Sequence, residues 1–281
     1  MDVLYGIHSV EEALRAGRRR FDHVAVARER RERNENHDAQ SAGRIERLLE
    51  LCRQRGVRVR MESRDVLTQM AGTAAHQGVV ALVRPQEQLA LEDLYEPLPP
   101  RLGSKVAQPR RLLLALDGVE DPQNLGALLR VADGAGVDGV ILTERRAAPL
   151  SPVAIKASAG AAEHLRIARV VNLVRALEAL KARNLWIIGL DERGTEDYDR
   201  FDFTGDCVLV LGREGAGLHD LTRKTCDHLL RIPMAGGVSS LNVSAAGAVV
   251  LYEAFRQRRA ASASDASSDA SKPKKQKGLG S

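Results

Sequence analysis

Three short stretches of this chain concentrate residues able to bind or react. LDGVEDPQNLGALLRVADGAGV, residues 116–137, sets Asn124 and Arg130 behind Asp117, Gly118 and an Asp121–Pro122 pair. LVLGREGAGL, residues 209–218, holds Glu214 among Gly212, Gly215 and Gly217. IPMAGGVSSLNVSAAGAV, residues 232–249, passes through Gly236 and Gly237 to Ser239, Ser240 and Asn242. Glycines let a main chain approach a ligand closely, and a carboxylate or amide beside them supplies acceptors and donors. Each stretch also has a plain structural reading. Asn242 would serve as a helix N-cap. Asn124 and Arg130 lie six residues apart, roughly 1.7 helical turns, so as a pair they are a cap residue and a surface arginine on different faces. The second stretch would be a tight turn.

The elements that position these residues alternate in type. From residue 111 onward come the strand RLLLAL, a helix starting at Pro122, the strand GVIL, a helix over 153–159 and the strand LRIARV. The helix NLVRALEALKA follows, then the strands LWIIGL and CVLVLG, a helix over 218–226, LLRIP and a last helix of small residues. Such β–α alternation predicts a mostly parallel sheet covered on both faces, with ligands held beyond the carboxyl ends of its strands. GAGVDG satisfies G-x-G-x-x-G at Gly134, Gly136 and Gly139. It ends a helix and precedes a strand, the reverse of a dinucleotide fingerprint, so a Rossmann site is rejected.

Residues 1–84 read as a smaller α/β unit, with helices over 8–16 and 43–54 and strands over 23–27, 57–61 and 78–83. Within it, ARERRERNENHDAQSAGR reads as a solvated segment whose Arg28, Arg30, Arg31 and Arg33 could also clamp phosphates. Residues 85–110 carry prolines at 85, 97, 99, 100 and 109 and read as a linker with one short helical piece. Residues 260–281 are low in apolar side chains and read as a disordered basic tail. The formal net charge is +5, and the seven basic and two acidic residues from Arg256 onward account for all of it. The remainder is neutral, so overall charge is a weak argument for nucleic acid. Cys52, Cys207 and Cys226 are widely spaced without a CxxC, which points to reduced packing thiols in a cytoplasmic protein and to no metal site. No apolar run approaches membrane-spanning length, and MDVLYGIHSVEE has no signal-peptide core.

In their order and spacing, the three stretches resemble one family. D-x-x-x-DPxNLGAxxRxAD, LGxEGxGL and IPMxGxVSSLNVSxA are similar to the signature motifs of the SpoU, or TrmH-like, branch of the SPOUT RNA methyltransferases. GIHSVEEAL and HQGVVALVRP resemble the first domain of the bacterial large-subunit rRNA guanosine 2′-O-methyltransferases, itself similar to ribosomal protein L30e. The resemblance implies an α/β chain with an L30e-like RNA-binding domain over 1–84 and a SPOUT catalytic domain over 111–259. In such a domain a deep trefoil knot would be threaded by the small residues Ser244, Ala245, Ala246, Gly247 and Ala248. It implies Asn124, Arg130, Glu214, Ser240 and Asn242 as catalytic residues. Leu211, Gly212, Glu214, Gly215, Ile232, Met234, Leu241 and Asn242 would bind S-adenosyl-L-methionine. The partners implied are 23S rRNA or a large-subunit assembly intermediate, and a second copy in a homodimer through the knotted domain, with no membrane. A tRNA or other-site rRNA 2′-O-methyltransferase and a non-catalytic RNA-binding assembly factor are the alternatives. Arg213 departs from the family pattern, where a small residue is usual.

Overall fold

LLLAL at β5 (Leu112–Leu116) and CVLVL at β10 (Cys207–Leu211) are apolar and buried at every position. Strands covered on both faces carry such continuous apolar runs. In a computed structural model, which describes residues 1–28, 35–86, 89–95 and 110–270, these two strands pair at the centre of a seven-stranded sheet. The others are β6 (Gly139–Thr143), β7 (Ile167–Val170), β8 (Trp186–Leu190), β9 (Glu196–Asp197) and β11 (His228–Arg231). Their order is β7-β6-β5-β10-β8-β11-β9, and every pairing is parallel. Alternate residues serve opposite faces. Leu112, Leu114, Leu116, Leu209 and Leu211 pack with Leu125 and Leu128 of α4 (Pro122–Gly134) and with Val250 and Leu251 of α8 (Val243–Ala270). Leu113, Ala115, Val208 and Val210 pack with Leu173, Leu177 and Leu180 of α6 (Leu173–Lys181). Each fully buried leucine contributes about 1.5–3 kcal/mol relative to exposure.

Local chemistry sets the helix starts. The Asp121 side chain accepts from the Gln123 amide at 2.8 Å, with Pro122 in the first turn of α4. Ser151 caps α5 (Pro152–Ala157), accepting from Ala154, and Asn172 caps α6, accepting from Arg175. Gly134 is the last residue of α4 and Gly139 opens β6, so the false fingerprint does close a helix.

A second sheet, ordered β1-β4-β2-β3, joins β1 (Asp2–Tyr5), β2 (Phe21–Ala27), β3 (Val59–Glu62) and β4 (Val79–Val83). β4 is antiparallel to both neighbours, while β2 and β3 run parallel. Helices α1 (Ile7–Ala16), α2 (Glu35–Gln54) and α3 (Arg64–Ala71) complete this unit. β1 and α3 escaped the sequence reading, being short and mixed in polarity. Short helix α7 (Asp220–Thr225) follows β10.

Two segments differ from expectation. Part of the proline-rich stretch packs onto the large sheet: Leu89 bridges Ala168 of the edge strand β7, and Leu91 and Leu94 are buried in the second core. Arg183 stacks 3.8 Å from the Tyr95 ring centre and holds the same segment. The last helix runs to Ala270 rather than stopping near Arg259. Five of residues 260–270 are alanine, the strongest helix former, and a count of apolar residues overlooks that propensity. Arg30, Arg31, Arg33, the prolines at 97, 99, 100 and 109, and Lys272, Lys274, Lys275 and Lys277 lie outside the described residues.

The two units meet through a buried ion pair. Arg19 donates from Nε and Nη2 to the two oxygens of Glu163, at 2.9 and 3.0 Å, and from Nη1 to Asp2 at 2.8 Å. The Arg19 and Glu163 side chains are 2% and 0% exposed. Around this pair, Glu12 meets His164 at 2.8 Å and Lys156 donates to the Ala75 carbonyl at 2.6 Å. A buried charge stripped of its partner costs several kcal/mol. Glu163→Gln should therefore lower the unfolding free energy by about 3 kcal/mol in urea titrations. The double variant Arg19→Met/Glu163→Leu should recover most of that loss, and a single variant as stable as the parent would show the pair to be idle.

Candidate functional site

The carboxyl ends of β8, β10 and β11 converge with the start of α8 around one cleft. Leu190, Leu211, Ile232, Met234, Leu241 and Val243 supply its apolar wall, and Asp191, Glu192, Glu214, Ser239 and Ser240 its polar rim. The loop after β10 turns back on itself, because Arg213 and Gly217 exchange backbone hydrogen bonds of 3.0 and 3.1 Å. Gly212 has no room for a side chain there: a Cβ would fall 2.3 Å from the Gly217 carbonyl carbon.

Asp191 anchors that loop from below. One carboxylate oxygen accepts from the Arg193 amide at 3.0 Å and from its Nε at 2.8 Å; the other accepts from Arg193 Nη2 at 2.9 Å and the Leu218 amide at 3.4 Å. Burial pushes the Asp191 pKa up, but the bonds from Arg193 and Leu218 outweigh it and hold the group below the ordinary carboxylate value.

Above the loop, three side chains close a ring. Asn124 Nδ2 donates to Glu214 Oε2 at 3.0 Å, Asn242 Nδ2 donates to Glu214 Oε1 at 2.9 Å, and the same Asn242 nitrogen reaches Asn124 Oδ1 at 3.0 Å. The Asn242 carbonyl oxygen meanwhile accepts from the Ser244 amide at 2.9 Å and its hydroxyl at 2.6 Å. Asn242 is thus both helix cap and site residue. Asn124 and Glu214 of the ring also line a second cavity of about 310 Å³, together with Gly118, Glu120, Asp121 and Arg213 among others. Arg213, Glu214 and Val243 border both spaces.

The structure thus brings Asn124, Glu214 and Asn242 into contact and sets Ser240 on the cleft wall. Leu211, Gly212, Glu214, Gly215, Ile232, Met234 and Leu241 line the cleft as well; Asn242 reaches it only through Glu214. Arg130 stands apart. It is exposed on α4, lines neither cavity and has no side-chain partner among the described residues. Asp191 escaped the sequence reading, as did the partner of Asp117. Asp191 follows an apolar strand as turn residues commonly do. Asp117, 5% exposed, accepts from the His219 amide at 2.8 Å and lies 3.0 Å from its Nδ1, a pairing 102 residues apart in sequence.

Among the described residues, no group of three or more His, Cys, Asp or Glu side chains could hold a metal, and no helix is long and apolar enough to cross a membrane. Burial pushes the thiol pKa values of Cys52 and Cys207 up to about 11 and that of Cys226 to about 12, so all three are protonated packing groups. The cleft fits S-adenosylmethionine: its apolar wall suits an adenine face, and backbone carries the polar edge beside glycines that leave room. Gly215, Gly236 and Gly237 have no atom within 4 Å of where a Cβ would stand.

A parallel α/β sheet with a glycine-edged, largely apolar cleft at its strand ends, joined to a second α/β unit, is the architecture of SPOUT methyltransferases. The chain belongs to the SpoU rRNA Methylase family, whose model matches residues 111–252; a second model, RNA 2'-O ribose methyltransferase substrate binding, matches residues 3–89. It is 42% identical to the 23S rRNA (guanosine-2'-O-)-methyltransferase RlmB of Photobacterium profundum, over 92% of this chain and 98% of that one. The protein of the same name from Escherichia coli K12 is 40% identical over 92% of this chain and 99% of its own length. The crystal structure of an AdoMet-bound rRNA methyltransferase from Sinorhizobium meliloti superposes with a TM-score of 0.71 at 27% identity, covering 91% of this chain and 87% of that one.

Asp191 carries a prediction. Asp191→Asn keeps the shape and removes the charge that Arg193 and the Leu218 amide share, so calorimetry should show the Kd for S-adenosylmethionine rising about tenfold. Because the folded-state pKa is depressed, this tether is complete above about pH 4. It is lost as pH falls through the folded value below 3.8. An unchanged Kd in the variant would show that the loop holds its shape without Asp191.

Proposed function

We propose that this chain transfers a methyl group from S-adenosylmethionine to the ribose 2′-hydroxyl of a guanosine in 23S rRNA. The observation that carries this reading is the Asn124–Glu214–Asn242 ring, whose Glu214 borders both the glycine-edged cleft and the second cavity. When bound, the cofactor supplies a methyl already activated on a sulfonium. The transfer would break the carbon–sulfur bond, form the carbon–oxygen bond and release the hydroxyl proton to solvent, leaving the neutral thioether as the other product. The protein's own task is orientation and help with that proton.

Glu214 has both oxygens engaged by amide nitrogens, so its role is to hold the loops in register. Ser240 makes no side-chain hydrogen bond among the described residues and faces the cleft, free to meet a substrate oxygen. A guanidinium is a poor proton acceptor and a good phosphate ligand, so the role of Arg130 is to bind the phosphate beside the acceptor and fix the hydroxyl.

Arg130 lies one turn before Gly134, where a Cβ would stand 2.9 Å from the Tyr252 hydroxyl of α8. Tyr252 itself is 50% exposed. We propose this α4–α8 face as the homodimer surface, with Arg130 at its edge. Residues 1–84 form the RNA-binding domain, residues 111–259 the catalytic domain, and Ser244, Ala245, Ala246, Gly247 and Ala248 at the start of α8 thread a trefoil knot. The bonds of the adjoining Asn242 to Glu214 and Asn124, and the close approach of Gly247 to Leu211, support the threading. A cytoplasmic location follows from an rRNA substrate.

The test is tritiated methyl transfer onto purified 23S rRNA, 16S rRNA and bulk tRNA, with mapping of ribose methylation. Label in a large-subunit guanosine is expected. Label in tRNA alone would reassign the substrate, and no cofactor binding at all would favour an assembly factor. Arg130→Ala should lower kcat at least a hundredfold, about 2.7 kcal/mol, while leaving the Kd for S-adenosylmethionine within twofold. Near-parental turnover in that variant would remove Arg130 from the reaction.

A further inference from the structure

Arg213 is the only cation lining either cavity among the described residues, and it borders both. Its stem lies on Gly118, whose φ of +83° is a conformation that favours glycine. A Cβ on Gly118 would come within 2.9 Å of Arg213 Cγ and 3.1 Å of His219 Cε1, so stem and ring lie together on a bare stretch of backbone. The guanidinium itself makes no hydrogen bond or ion pair among the described residues.

That lack of a partner is notable because the other charged residues lining the second cavity, Glu120, Asp121 and Glu214, are all acidic. Glu214 is engaged by Asn124 and Asn242, Asp117 by His219, and one oxygen of Asp121 by the Gln123 amide. Of the acids lining the second cavity, only Glu120 lacks a donor among the described residues, and none closes on Arg213. An exposed arginine with a fixed stem and a free planar fork is suited to bidentate recognition of a phosphodiester. The second cavity also has a problem that such a contact solves. Glu120, Asp121 and Glu214 would repel a polyanionic strand entering there, and Arg213 is the group that offsets them.

Resting on the methyltransfer reading, we propose that Arg213 binds a backbone phosphate of the acceptor RNA strand as the strand enters the second cavity. It would be a substrate-binding residue distinct from the Asn124–Glu214–Asn242 ring. The other anion within reach is the carboxylate of the methionine moiety in the first cleft, and the experiment separates the two.

Full-length parent, Arg213→Ala and Arg213→Lys are compared for binding to a 23S rRNA transcript at several potassium chloride concentrations, and for binding to S-adenosylmethionine. The expected result for Arg213→Ala is a roughly tenfold weaker RNA Kd and a salt slope reduced by about 0.7–0.9, the signature of one lost phosphate contact. Arg213→Lys should recover part of the affinity, since lysine keeps the charge without the fork. The Kd for S-adenosylmethionine should stay within twofold. An RNA Kd and salt slope equal to the parent's would overturn the proposal, as would a loss confined to cofactor binding. A parent protein that binds the transcript but transfers no methyl would count against the reaction, while the Arg213 comparison would still decide the phosphate contact.

Discussion

The site depends on one carboxylate held by two amides. Glu214 accepts from Asn124 and Asn242, residues 90 and 28 positions away, and those two also bond each other. Each neutral-to-charged hydrogen bond contributes about 1.5–3 kcal/mol net. The value of the ring lies less in that sum than in what it joins. The start of α4, the glycine loop after β10 and the cap of α8 come from distant parts of the chain, and no backbone pairing links all three. Amide donors suit this task because they satisfy a carboxylate without adding charge beside a cationic cofactor.

The rest of the architecture delivers those three segments to one place. Parallel pairing brings the carboxyl ends of β5, β10, β8 and β11 to the same edge, and period-two burial gives each strand a core on either side. Close packing then fixes the helices. A Cβ on Gly247 would sit 2.5 Å from Leu128, so α8 meets α4 nearly backbone to side chain. A cavity left by a poorer fit here would loosen both Asn124 and Asn242, because interiors transmit small displacements.

Sequence alone carried the catalytic sheet far and the site part of the way. β5 and β10 announce themselves as uninterrupted apolar strands, and Asp121–Pro122 marks the start of α4 through capping chemistry that is local. The stretches that hold Asn124, Glu214 and Asn242 stood out by their glycines and polar residues, but the three were joined as a set only through the resemblance to the SpoU branch. What pairs with what was not legible. The Asp117–His219 contact, the Asp191 anchor and the Arg19–Glu163 pair, 144 residues apart, are products of chain crossing, which no local pattern encodes. Leu89 reads as part of a proline-rich linker, yet edge pairing with Ala168 recruits it to the sheet. The alanines after Arg259 reveal the reverse error, a segment judged by its lack of apolar mass when helix propensity decides its backbone.

The buried ion pair places the first unit within the same frame as the site. Arg19 holds Glu163, whose turn packs with α5 and α4. α4 in turn meets α5 at Gly126, where a Cβ would stand 2.4 Å from that of Ala157, and it carries Asn124 two residues earlier. A buried charge pair is weak evidence for stability, because desolvation offsets much of its attraction. Its geometry is a better argument. A bidentate guanidinium–carboxylate contact fixes direction as well as distance, whereas an apolar interface of the same area would tolerate sliding. The pair therefore sets the orientation of the first unit against the α5–α4 frame that carries Asn124.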